Sequence, residues 1–452
     1  MKGNALVAQS GGPSPVINSS LQGVIEGCRA FPDRIGTLYA AWHGIEGALL
    51  EELVDLSRQP PREVSLLGVT PAAGAIGTCR YKLTEGQADD FERIIQVIRA
   101  HDIGYFFYIG GNDSMDTAAK VSRLARERGV ELVVTGVPKT IDNDIGDAEF
   151  RIIDHTPGYG SAARYWASLV QNLDEENRGM CVSEPVAVLQ AMGRRSGFIT
   201  AASRLGDPER RMPLQLYMAE TRHTLESLHE NVNRELRRSG RCIVVVNEGF
   251  DVGGVGERHD GFGHIEYGAS RTTAAQEVVN YLNEKGLAVR GQATGQVPGV
   301  IQRSVSTHAS TVDIEEAREV AMHAVQVALR EGTGWMATIL RAPPGAGASG
   351  SAPAGRGTAP AGRGTAGPGA SYRAVYDKVH LETVANSSRF MPPAWITKDG
   401  LDVTDDFIRY AAPLIGERDP EIPRENGLQR FARFTIEFAP KMCPAYQPVR
   451  FR

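Results

Sequence analysis

The stretch of the chain richest in chemistry is Gly136-Val137-Pro138-Lys139-Thr140-Ile141-Asp142-Asn143-Asp144, where a lysine stands three residues from one carboxylate and five from another. These charges stand together in a proline-opened turn. A surface salt-bridge cluster accounts for the same residues taken alone. Other segments share the layout, however. Gln9-Ser10-Gly11-Gly12-Pro13-Ser14-Pro15 combines glycines, which let the backbone approach a phosphate, with prolines that suit a helix start facing an anion. Ile109-Gly110-Gly111-Asn112-Asp113-Ser114 opens into a helical pattern with Ala118, Val121 and Leu124 on one face. Gly74-Ala75-Ile76-Gly77-Thr78-Cys79-Arg80 brings an arginine after a glycine-rich turn. Ala191-Met192-Gly193-Arg194-Arg195-Ser196-Gly197 and Asn247-Glu248-Gly249 add an arginine suited to a phosphate and a carboxylate suited to sugar hydroxyls. Each loop alone reads equally as a turn or a cap. Read together at one sheet edge, they fit phosphoryl transfer.

Loops of this kind lie outside the carboxyl ends of strands in open α/β sheets. Short apolar runs at Ala5–Ala8, Tyr105–Ile109, Leu132–Thr135, Val186–Leu189 and Ile243–Val246 are bounded by Gly, Pro or Asn, as buried parallel strands are. Between them, 221–240 carries Leu225, Leu228, Val232 and Leu236 on one face with Gly240 as the stop. The segment 313–332 opens with Asp313 and Glu316 in capping-box spacing. The alternation predicts an α/β fold with mostly parallel sheets. Residues 342–370 break the pattern. They are almost all Gly, Ala, Pro, Ser, Thr and Arg, and the heptad Ala352–Thr358 repeats at once as Ala359–Thr365. Such a segment buries almost nothing, so a disordered surface loop is expected, with Arg356 and Arg363 as its charges.

The 452 residues suffice for two or three domains. A net charge of -5 supplies no field to attract nucleic acid or anionic lipid, so anionic substrates need locally placed cations. The five cysteines are scattered, without a CxxC pair, which points to neither a disulfide framework nor a thiolate zinc site. No stretch approaches the roughly 20 apolar residues of a membrane span, and residues 1–10 read as a strand start rather than a signal segment, so a cytoplasmic location is expected. No GxGxxG opens the first strand–helix turn and no GxxxxGK[ST] occurs, which removes the dehydrogenase and Walker-type NTPase readings.

The order and spacing of SGG (Ser10–Gly12), GGND (Gly110–Asp113), PKTIDND (Pro138–Asp144), MGR (Met192–Arg194) and IQRS (Ile301–Ser304) resemble the phosphofructokinases, specifically their pyrophosphate-dependent branch. The resemblance spans about residues 4–340 and resumes from Tyr372. It implies reversible transfer of a phosphoryl group from pyrophosphate to the 1-hydroxyl of fructose 6-phosphate, in glycolysis or gluconeogenesis. It implies that Asp142 is the general base, that Thr140, Met192, Gly193, Arg194, Glu248 and Arg303 complete the sugar site, and that Gly11 and Gly12 cradle the donor. It places Asn112 and Asp144 near a magnesium ion and has Arg80 neutralise the moving phosphoryl group. It implies two Rossmann-like domains with the site in the cleft between them. The donor domain takes 1–153 with about 303–340, and the sugar domain 154–302, with 371–452 packing on both. A homodimer or homotetramer is expected as well.

Two positions bear on the donor. In the family's ATP users glycine stands at the place of Asp113, and usually at that of Lys139. A carboxylate about 4 Å from the α-phosphate of ATP costs roughly 4 kcal/mol at an effective dielectric near 20, about a thousandfold in binding. Lys139 places an ammonium against pyrophosphate instead. Five features depart from the family pattern: Asn112 for aspartate, Gln190-Ala191 for Glu-Val, Val300 for a Tyr or His, Pro185 near an inter-subunit Arg or His, and the repeat insertion. An ATP-dependent kinase and a non-catalytic sugar-phosphate-binding subunit are the alternatives. Retention of Lys139, Asp142 and Arg194 speaks against the second.

Overall fold

The computed structural model describes residues 2–84, 86–252, 272–343, 372–385 and 387–452. The predicted surface loop and its repeated heptad fall almost entirely outside the described residues. Eleven strands form two sheets: β1 (Gly3–Gln9), β2 (Ile35–Ala41), β3 (Leu53–Asp55), β4 (Ile103–Gly110), β5 (Val133–Pro138), β6 (Val186–Ala191), β7 (Leu214–Tyr217), β8 (Cys242–Asn247), β9 (Ala293–Gln296), β10 (Trp335–Arg341) and β11 (Ala374–His380). The first sheet has the order β11-β10-β5-β4-β1-β2-β3, and the second β7-β8-β6-β9. The second sheet is parallel throughout. In the first, only the edge strands β3 and β11 run antiparallel to their neighbours. The fold is therefore α/β with mostly parallel sheets, as the alternation predicted.

Central strands are apolar on both faces because helices cover both sides. β4, Ile-Gly-Tyr-Phe-Phe-Tyr-Ile-Gly, is buried at every position. All five predicted strands are present, whereas β2, β3, β7, β9, β10 and β11 were not predicted. β9 is a four-residue edge strand, Ala-Thr-Gly-Gln, without an apolar run, and β10 and β11 form the hairpin from which the low-complexity segment grows. The helix Leu225–Ser239 ends at Gly240 in the left-handed region, as expected, and starts later than residue 221, at a capping box of Thr224 and Ser227. The helix Thr311–Glu331 corrects its predicted cap. Ser310 is the N-cap and accepts from the Asp313 amide, while the Asp313 carboxylate accepts from the amides of Gly158 and Ser161. Helix-start spacing identified the turn but not which of two neighbouring polar residues faced it.

The chain beyond the low-complexity segment packs on both sheets. Trp395 stands 4.7 Å from the Tyr410 ring and 5.1 Å from Phe150, in one core with Phe198 and Phe407. Farther on, the Ala439 amide donates to the Leu53 carbonyl and Phe438 bridges Val54, covering the edge of β3.

Candidate active site

The loops singled out in the sequence do not share one sheet edge. Those at 9–15, 110–114 and 138–144 leave the carboxyl ends of β1, β4 and β5 in the first sheet. Those at 191–197 and 247–249 leave β6 and β8 in the second. The loop carrying Arg80 follows no strand. It is strapped beside β1 by a bridge between Ser10 and Cys79, and the Gly11 amide donates to the Cys79 carbonyl at 2.9 Å. Carboxyl ends of both sheets thus face one cavity of about 240 Å³. Gly11, Gly12, Arg80, Asn112, Asp113, Lys139, Thr140, Asp142, Asp144, Met192, Arg194, Glu248 and Arg303 all line it. Gly193 alone among the expected site residues does not, though its amide holds a wall in place.

Four cations and four carboxylates share this space, and burial shapes both. Lys139 is buried, and its Nζ donates to the Gly12 carbonyl at 2.8 Å. Burial, with Arg303 the largest charged contributor, pushes its pKa down to about 7. Arg303 is held below its ordinary range, first by burial and then by Arg80, and its buried Nε has no hydrogen-bond partner among the described residues. At Gly12 the backbone comes close to two guanidinium groups. A Cβ at that position would lie 2.4 Å from an Arg303 guanidinium nitrogen and 3.3 Å from one of Arg80. Three basic side chains therefore converge where the backbone is barest, an arrangement that suits an anion with several oxygens.

The carboxylates form a graded set. Asp142 lies 3.9 Å from Arg194 Nε, and its amide donates to Thr140 Oγ1. Asp144 is raised to about 6, by burial and then by the charge of Asp142. Glu248 is raised to about 7, again by burial first and Asp142 second, while its Oε1 accepts from the amides of Gly193 and Arg194 at 3.1 and 2.9 Å. That turn needs glycine, since Gly193 has φ 132° and a Cβ would lie 2.4 Å from the Ser196 carbonyl oxygen. Asn112 accepts from the Asp113 amide and donates to the Ser387 carbonyl, so both ends of its amide are engaged.

Asp113 requires a correction to its expected electrostatics. Its carboxylate is not a bare charge, because Lys82 Nζ sits 2.6 Å from Oδ1. The full like-charge penalty expected against a nucleotide phosphate is offset by this partner.

Several supporting residues escaped the sequence reading. Gln302 Oε1 accepts from the Met192 amide and from Trp166 Nε1, tying the loop after β6 to a helix. Gln190, which departs from the family's glutamate, accepts from the Ala275 amide at the start of the helix Ala274–Lys285. Arg389, fully buried, donates to the Asn143 carbonyl, to Asn143 Oδ1 and to the Ile153 carbonyl. Its amide also donates to the Asp144 carbonyl. The loop bearing Asp142 and Asp144 is thus pinned from the far side of the low-complexity segment.

Residues 4–328 match the family model described as Phosphofructokinase. A protein of Halomonas elongata named pyrophosphate–fructose 6-phosphate 1-phosphotransferase is 37% identical, over 98% of this chain and 99% of its own length. A solved pyrophosphate-dependent phosphofructokinase from Nitrosospira multiformis superposes with a TM-score of 0.83 at 33% identity, covering 98% of this chain and 99% of its own. Another, from Marinobacter aquaeolei, gives 0.79 at 34% identity with the same coverage. With its two facing sheets, its cavity at their carboxyl ends and these full-length relatives, the chain belongs to the phosphofructokinase family.

Proposed function

We propose that the chain transfers a phosphoryl group from inorganic pyrophosphate to the 1-hydroxyl of fructose 6-phosphate, reversibly, giving fructose 1,6-bisphosphate and phosphate. The observation that carries this reading is that Lys139 and Asp113 both line the cavity, with the lysine against the bare backbone of Gly12. Full-length relatives named for the same reaction support it.

On this reading the sugar lies against Thr140, Met192, Gly193, Arg194, Glu248 and Arg303, and pyrophosphate against Gly11, Gly12, Lys139 and Arg80. Asp142 accepts the proton of the 1-hydroxyl as its oxygen attacks phosphorus. The P–O–P bridge then breaks and phosphate leaves, with its charge met by Lys139 and Arg80. Bound pyrophosphate draws the Lys139 pKa back upward and keeps its proton in place. Asp113 narrows the space a nucleotide would need.

Magnesium is the cation we assign to the reaction. Asp144 suits it as an oxygen donor, since a divalent ion relieves the charge that burial and Asp142 otherwise oppose, and Asn112 lines the same cavity. Among the described residues no group of three His, Cys, Asp or Glu side chains is placed to hold a metal. Two protein ligands completed by substrate oxygens and water are the usual arrangement for this ion. When bound, it supplies charge neutralisation on the diphosphate.

A homo-oligomer acting in the cytoplasm completes the proposal. Val297, Val300 and Ile301 are exposed at or beside the rim of the cavity, where a second copy would cover them. No described helix is long and apolar enough to cross a membrane. ATP as donor is the second reading, favoured by one observation, the Lys82 partner that offsets Asp113. A coupled assay with fructose 6-phosphate and magnesium, comparing equal concentrations of the two donors, decides between them. Turnover with ATP alone would overturn the pyrophosphate assignment.

A further inference from the structure

Along Arg80–Leu83 burial alternates, with Tyr81 and Leu83 buried and Arg80 and Lys82 only partly so. Tyr81 and Leu83 are buried in the core around β4, while Arg80 lines the cavity. Lys82 therefore leaves the segment on the Arg80 side, and its Nζ meets Asp113 Oδ1 at 2.6 Å. Both side chains are largely withdrawn from water, at 26% and 15% exposure, so salt screens the pair less than it screens a surface ion pair. Asp113 opens the helix Asn112–Glu127, whose first turn faces the cavity.

From this geometry we infer that Lys82 is a donor-selecting residue that acts through Asp113. The inference rests on the pyrophosphate reading above. Lys82 cancels enough of the Asp113 charge for a multiply charged diphosphate to enter, and its ion pair fixes the carboxylate in the space that a nucleotide's α-phosphate would take. Donor choice then belongs to a pair of residues rather than to the acid alone. If Asp113 is removed, the Lys82 ammonium is released toward the donor and becomes a cation available to a nucleotide phosphate. If Lys82 is removed, the carboxylate loses this counter-charge and repels the pyrophosphate that the wild type admits, so the donor ratio shifts away from pyrophosphate.

The test is a double-variant cycle on the full chain, with fructose 6-phosphate, magnesium and either pyrophosphate or ATP. Asp113→Gly is expected to raise kcat/KM for ATP by about tenfold or more, and Lys82→Met/Asp113→Gly to lose most of that gain. Lys82→Met alone is expected to raise KM for pyrophosphate by about tenfold while KM for fructose 6-phosphate stays within about twofold. Lys82→Arg, which keeps the charge, should retain the wild-type donor ratio. A merely structural lysine would change both donors and the sugar alike, leaving the ratio of pyrophosphate to ATP turnover where it was. The inference is overturned if the double variant keeps the ATP gain, if Asp113→Gly yields none, or if Lys82→Met leaves the donor ratio unchanged. A wild type that turned over ATP alone would sink the pyrophosphate reading itself and this inference with it. A pyrophosphate-using wild type with an ATP-competent double variant would sink only the role of Lys82.

Discussion

Lys139 donates from Nζ to the carbonyl oxygen of Gly12 at 2.8 Å, although the two are 127 residues apart in the chain. The contact joins the loop after β5 to the loop after β1 at a buried lysine of the cavity wall.

That burial sets a pH dependence. The Lys139 pKa lies at about 7, so in the free enzyme the ammonium is lost as pH rises above neutrality. The value of kcat/KM for pyrophosphate is expected to fall above about pH 7, and Lys139→Met to lower it by about a hundredfold or more at pH 6.5 and flatten the profile. For stability the sign is opposite. The folded pKa is depressed below the unfolded 10.5, so the unfolded chain binds the extra proton between about 7 and 10.5. This group's contribution to stability therefore improves as pH rises through that window. Thermal unfolding of the methionine variant at neutral pH should show a higher Tm than wild type.

Glu248 carries the reverse shift. Its folded pKa, raised to about 7, means the buried side chain is an acid below neutrality and a carboxylate above it. Its contribution to stability is present at low pH and lost as pH rises from its ordinary range through about 7. Beyond the ionisation of the sugar phosphate itself, KM for fructose 6-phosphate is expected to fall as pH rises through about 7 in wild type. Glu248→Gln should remove that dependence and raise KM at pH 8 by about tenfold. Initial-rate measurements across pH 5.5–9 provide the check (a range chosen to bracket the value of about 7).

Arg389 holds the loop of Asp142 and Asp144 from behind, and its guanidinium carbon lies 4.3 Å from the Phe150 ring centroid. Arg389→Met leaves buried carbonyl acceptors without a donor, so a loss of about 3 kcal/mol in urea unfolding is expected. The same variant should lower kcat by more than it raises either KM, since Asp142 is placed by the loop that Arg389 anchors.

Arg450 donates to the Arg80 carbonyl at 2.9 Å, and its amide donates to the Tyr81 hydroxyl. The end of the chain thereby braces the segment that carries Arg80 and Lys82. Arg450→Met is expected to reduce kcat with pyrophosphate by about fivefold to tenfold with little change in KM for fructose 6-phosphate. Equal losses in every parameter would show the contact to be structural only.

How far sequence reached can be argued from these same residues. The glycines, lysine and acids of the strand-end loops were legible because phosphate chemistry demands those residue types beside tight turns, and because buried parallel strands announce themselves as apolar runs. Asp113 and Lys139 could be assigned to a donor pocket only through the family resemblance. Lys82, Gln302 and Arg389 could not, because each acts through a partner 31 or more residues away and has no local pattern to mark it. The Lys82 partner also changed the electrostatic argument, since a lone carboxylate and a paired one oppose a phosphate by different amounts.

By itself the order of residues determined the alternation of strands and helices and the identity of the chemical groups at the strand ends. Those depend on side-chain period and on backbone freedom at glycine, which are local. Only the tertiary structure decided that the groups come from two sheets facing one cavity and that burial tunes Lys139 and Glu248 toward neutrality. Desolvation and charge pairing depend on what surrounds a group in space, and chain neighbours supply little of that surrounding.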